Sequence, residues 1–140
     1  MAQKVKRDSG TRDGLVFQGG DYASGVLVGL GYIWSAGGYA VAPDDPQKVV
    51  IDSPESVRGL QIERSMVTDG IASIGVADFE ETETHAAFLR GESVFARNWP
   101  YMYGLIGVKG ESPIEPGQVG VSTLPNGARA SAASGGGTCS

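Results

Sequence analysis

The strongest constraint on this chain is where its apolar runs break. Twice a short run with strand character crosses a turn and gives way to helical spacing. The first, GLVFQ at 14–18, reads as a buried strand. It leads through GGDY into a stretch where Tyr22, Val26, Leu30, Ile33 and Trp34 recur at helical intervals. The second, SVFAR at 93–97, breaks at Asn98-Trp99-Pro100 and resumes as the short apolar segment PYMYGLIG. Proline suits the first turn of a helix and spoils the interior of a strand. Pro100 therefore marks a strand-to-helix junction with Trp99 at its rim. Repeated strand-then-helix order is the pattern of a layered α/β arrangement.

The remaining segments fit the same scheme. Asp21 is expected to cap the first long helix, and Gly37-Gly38 to stop it. Gly25, Gly29 and Gly31 cost that helix roughly 1 kcal/mol each against alanine unless another backbone packs closely there. YAVAPDDPQKVVI (39–51) reads as a hairpin turning at PDDP. Ser53, Pro54 and Glu55 give the clearest helix start in the chain, with Val57, Leu60, Ile62, Met66 and Val67 on its apolar side and Gly70 at its end. After a connection at 71–78, DFEETETHAAFLRGE predicts a second amphipathic helix. Glu80, Glu81 and Glu83 crowd its positive end, and Phe79, Ala86, Ala87 and Leu89 turn inward. GQVGVSTLP (117–125) reads as a further strand. The expectation is an α/β fold, a small sheet packed by several helices, over residues 13–125. Residues 1–12 are expected as a flexible basic tail and 126–140 as a Gly/Ser/Ala-rich tail. No internal repeat is present.

Composition removes several function classes. A chain of 140 residues with 41% hydrophobic side chains can hold a real core, burying about 68–70% of its unfolded surface. Residues 1–12 carry Lys4, Lys6, Arg7 and Arg12 against Asp8, so the body is more acidic than the net −5. Phosphate-backbone binding needs clustered Lys and Arg, so no nucleic-acid partner is expected. Cys139 is the only cysteine, which excludes an internal disulfide and leaves a metal cluster unsupported. His85 is the only histidine, it lies mid-helix, and no G-x-S-x-G accompanies it; a surface position is expected for it. The acidic run is read as solvation of a helix start rather than as paired catalytic carboxylates. VGLGY lacks the third glycine of a dinucleotide fingerprint. No catalytic residue, metal or cofactor is expected. No apolar run reaches 18 residues. The start MAQKVKRDSG has no apolar core of a secretion signal, so the chain as written would remain cytoplasmic.

What remains is aromatic. Trp34 lies at a helix end, and Trp99 and Tyr101 lie where a strand stops. Ligands of α/β layers gather beyond the carboxyl ends of the strands. Flat indole and phenol faces with polar edges suit the C–H-rich side of a pyranose, with Asn98 and Arg97 available to its hydroxyls. The same rings would equally fill core between helix and sheet.

GLVFQGGDY, YIWSAGGYAV, VVIDSPESVRGL, AAFLRGESVFARNWPYMYGLI, GQVGVSTLPNG and SAASGGG, in this order from Gly14 to Gly137, resemble the extracellular solute-binding proteins of carbohydrate ABC importers, the maltose/trehalose type most of all. That resemblance implies two α/β lobes closing on a sugar and presenting it to a membrane permease outside the cytoplasm. The matched part is similar to part of the C-terminal lobe. It implies Trp99 as the stacking platform and Tyr101 as a cleft neighbour. Asn98 and Arg97 are implied as weaker contacts, Arg97 equally as a brace for the loop, and Trp34 with Gly37-Gly38 as scaffold near the cleft. Thr138 and Cys139 stand where the family continues with a second cleft tryptophan. Nothing resembles the N-terminal lobe, a lipidation cysteine or the long C-terminal helices. The expectation is a partial, single lobe that binds a mono- or oligosaccharide weakly. The alternative is a truncated fragment without ligand function. Uncovered apolar faces would make either a homo-oligomer.

Overall fold

The structure, a computed structural model, describes residues 1–125 and 127. In chain order its elements are α1 (Ala2–Ser9), β1 (Asp13–Val16), α2 (Ala23–Ser35), β2 (Val41–Ala42), β3 (Asp45–Val49), α3 (Pro54–Thr68), α4 (Glu81–Leu89) and β4 (Ser93–Ala96). Short 3₁₀ turns at Ile74–Asp78, Pro100–Leu105 and Pro116–Gln118 complete the set.

β1 and β4 form a parallel pair in the register Asp13↔Ser93, Leu15↔Phe95 and Val16↔Ala96. Everything from α2 to α4 is the crossover between them. Parallel strands need such a crossover and are buried by it. Val16 and Phe17 accordingly lie in the core with Val28 of α2, Ala72 and Val76 of the connection, and Ala87 of α4. Asp13 is buried at the start of β1. Its carboxylate accepts the Ser73 N–H at 2.6 Å and pairs with Arg12 at 2.9 Å, which fastens the connection to the strand. β2 and β3 make the expected antiparallel hairpin, with Ala42 opposite Asp45.

α2 and α3 pack closely because glycine permits it. A Cβ on Gly59 would lie 2.6 Å from both Ile33 Cα and Tyr32 O. The cap of α3 is as the sequence predicts: Pro54 opens it and Ser53 Oγ accepts from Ser56 N–H at 3.3 Å.

Other boundaries differ from expectation. Residues 2–9, expected within a tail, form α1, and Lys6 Nζ and Gln3 Nε2 donate to the carbonyls of Gly70 and Asp69. Asp21 does not cap α2; Tyr22 occupies the cap position without a side-chain cap. α4 is shorter than its amphipathic pattern, because the reciprocal Glu80–Glu83 capping box fixes its start at Glu81. Residues 119–125 are not a strand. Val121 is 79% exposed, and β propensity there has no packed neighbour to act on. Apart from Gly127, the expected tail at 126–140 lies outside the described residues.

Candidate functional site

The parallel pairing sends the carboxyl ends of β1 and β4 to the same side. Residues 17–22 leave one strand and residues 97–101 leave the other, so two loops start from the same end of the pair.

Three side chains named from sequence meet there. Asn98 Oδ1 accepts the backbone N–H of Trp99 at 2.7 Å, and Asn98 Nδ2 donates to the Glu81 carbonyl at 3.2 Å. Trp99 Nε1 donates to Glu81 Oε1 at 2.9 Å. The Tyr101 hydroxyl reaches the Glu81 carbonyl at 3.4 Å and is joined to His85 Nδ1 at 2.8 Å. The His85 and Tyr101 rings meet edge to face, centroids 5.8 Å apart. Trp99 is half-buried and Tyr101 is 45% exposed, so neither ring is sealed in the core.

Glu81 ties this loop to the opposite wall. Its Oε1 also accepts from Ser24 Oγ in the first turn of α2. The Tyr22 hydroxyl is buried nearby without a regular hydrogen bond of its own. Desolvation pushes the Glu81 carboxyl up, but hydrogen bonds from Ser24 and Trp99, with Tyr22 close by, outweigh it and hold the pKa at about 2. Burial first, then the negative charge of Glu81, pushes Tyr22 up to about 12. Burial also raises Tyr101.

Beside the aromatic shelf an open cleft of about 600 Å³ runs along α2, lined by Gly19, Gly20, Tyr22, Gly29, Leu60 and Glu63 among others. Trp99 does not line it; Tyr22 does, and it also lies close to Glu81.

Two named residues lie elsewhere. Arg97 runs beneath α2, where Nη2 donates to Leu27 O at 3.2 Å and packs against Gly31, while burial lowers its pKa. That bond ties the start of the loop to α2. Trp34 is ten residues along α2 from Ser24, roughly 15 Å of helix rise. Among the described residues no hydrogen bond or ring contact joins it to the shelf. Glu81, His85, Tyr22 and Ser24 were not singled out as site residues. His85 is half-buried against Tyr101 rather than simply at the surface, and Glu81 does more than solvate a helix start. In the sequence Tyr22 reads as one position of a helical spacing, Glu81 as part of a helix start and His85 as a surface residue, and nothing there links them. Among the described residues no group of three or more His, Cys, Asp or Glu is placed to hold a metal ion.

No family model matches the chain. A probable ABC transporter-binding protein of Deinococcus radiodurans is 36% identical over 131 residues, 91% of this chain and 30% of that protein. Maltose-bound MalE3 of T. maritima superposes with a TM-score of 0.82 at 39% identity, over 90% of this chain and 31% of its own. An ABC transporter solute-binding protein of Agrobacterium radiobacter K84, in complex with ribitol, shares the fold at a TM-score of 0.77 and 22% identity, over 91% of this chain and 31% of its own. The chain thus spans about a third of the length of the proteins it matches. Sequence and fold together make it similar to part of the solute-binding proteins of ABC transporters, an α/β segment of their larger architecture.

Proposed function

We propose that this chain supplies part of a carbohydrate-binding site, with the face of Trp99 as the platform and Tyr101 and Asn98 beside it. One observation carries the reading: two partly open aromatic rings are fixed at the carboxyl ends of a parallel strand pair. The maltose bound by a 39%-identical relative supports a sugar as ligand. The chain acts by binding and is not an enzyme, in line with relatives named for binding. A permease partner and a place outside the cytoplasmic membrane follow from the same resemblance.

Affinity is expected to be low. A complete receptor binding near 1 μM has about −8 kcal/mol, and half of its contacts leave roughly −4, the millimolar range. Titration with maltose, followed by Trp99 fluorescence in a Trp34→Phe background, is expected to give a millimolar Kd, and in calorimetry Trp99→Ala is expected to abolish the binding heat. Maltose that leaves Trp99 unperturbed, or a micromolar Kd, overturns the reading.

A second reading, self-association, is favoured by the cleft itself. Val26, Ile51 and Leu60 line it and are 60%, 45% and 44% exposed. Light scattering across a concentration series is expected to show mass rising above 14.5 kDa. A constant monomer mass excludes this reading.

A further inference from the structure

Three parts of the molecule converge on Glu81. The start of α2 reaches it through Ser24 Oγ, and the loop after β4 reaches it through Trp99 Nε1 at 2.9 Å, Asn98 Nδ2 at 3.2 Å and Tyr101 Oη at 3.4 Å. Glu81 itself is the first residue of α4, and its backbone is held by the Glu80–Glu83 capping box. The acceptor thus stands on a helix start that local hydrogen bonds hold. A hydrogen bond from an indole N–H to an ionised carboxylate is about twice as strong as one to a neutral acceptor. A tryptophan on a loop has two free side-chain torsions, and anchoring its Nε1 leaves little of that freedom.

The geometry points to Glu81 as a positioning residue for the sugar site: it docks the Trp99 indole N–H, sets the ring plane before ligand arrives, and leaves the ring faces for stacking. The ligand half of this inference rests on the sugar-binding reading; the orientation of the indole does not. Glu81 and Trp99 act as a pair, so neither should contribute its full effect without the other. Ser24 shares the carboxylate but not the indole, which separates positioning of Trp99 from simple tethering of α4 to α2.

The test uses the full chain labelled with ¹⁵N, whose two tryptophans give two indole resonances, Trp99 being assigned with Trp34→Phe. Without ligand, Glu81→Gln is expected to move the Trp99 Nε1–H resonance upfield and speed its exchange with water about tenfold. Ser24→Ala should leave that resonance near its wild-type position. With maltose, Glu81→Gln and Trp99→Phe should each weaken binding about tenfold, and the double variant no further. An unchanged indole resonance in Glu81→Gln overturns the proposal, as does wild-type maltose affinity in that variant or additive losses in the double variant. If maltose perturbs no wild-type resonance while the indole still responds to Glu81→Gln, the orientation role stands and the sugar reading falls. If Glu81→Gln fails to fold, Glu81→Asp takes its place: it keeps the charge but withdraws the acceptor by one methylene, and an unchanged Trp99 indole resonance in that variant equally overturns the proposal.

Discussion

Pro100 shows how one residue can place the side chains of a candidate site. It opens the 3₁₀ turn at Pro100–Leu105, so β4 ends before Trp99 and the indole emerges at the junction. This part of the site was legible in the sequence, because proline has few places to be. Glu81 was not legible, since an acidic run at a helix start already has a sufficient local explanation in the helix dipole. Its long-range partners Ser24 and Trp99 exist only after folding. The difference has a measurable pH signature. The Glu81 carboxyl stands at about 2 in the folded chain against an ordinary value of 4.5. A lowered carboxylate pKa stabilises the fold above the ordinary value, and that contribution is lost as pH falls toward the folded one. Urea midpoints should therefore drop as pH falls from about 4.5 to 2, and the drop should be smaller in Glu81→Gln. Equal slopes for the two proteins would show that the carboxylate is not so held. Arg97 was only half legible: its charge can be read, but the direction in which it runs, beneath α2, depends on Gly31 leaving room.

Among the elements, the bounds of α3 and the β2–β3 hairpin followed the sequence most closely, because Ser53-Pro54 and the turn at Pro43-Asp44 are local signals with local physics. The face of α3 did not, since Val57, Leu60 and Ile62, read as its apolar side, are exposed while Ser56 and Gly59 are buried, Gly59 against α2. The segment at 119–125 failed for the opposite reason, since a strand is defined by a partner. α1 was missed because polarity suggests solvent, whereas Lys6 and Gln3 reach carbonyls some sixty residues away. The two central helices offer a test of how glycine is used. At Gly59 an added methyl would meet Ile33 and Tyr32 backbone at 2.6 Å, whereas at Gly29 it would meet the Glu63 and Leu60 side chains at 3.5 and 3.6 Å. Gly59→Ala is expected to cost about 2 kcal/mol by forcing α3 off α2. Gly29→Ala should instead stabilise by about 0.5–1 kcal/mol through helix propensity. Urea unfolding of the two variants checks the pair, and equal signs would contradict this account of the packing.

At the scale of the whole molecule, the layered α/β expectation holds, and the shelf and the cleft arise from how its pieces are joined. The sequence showed two strands but not that they are neighbours, because parallel pairing leaves no mark in either strand alone. Asp13 pairs with Ser93, eighty residues further along the chain (93 − 13). Such distant pairing is slow, so refolding is expected in the millisecond-to-second range rather than in microseconds. Stopped-flow fluorescence of Trp99 in Trp34→Phe should change only in the last phase; an early change would mean that the indole docks without the strand pair. For a chain emerging from the ribosome the order matters. α1, β1, α2 and α3 emerge before α4 and β4, with the Ser24 hydroxyl still without the Glu81 carboxylate it will donate to. Until Trp99 is synthesised and β4 pairs with β1, the nascent chain carries only one side of the candidate site.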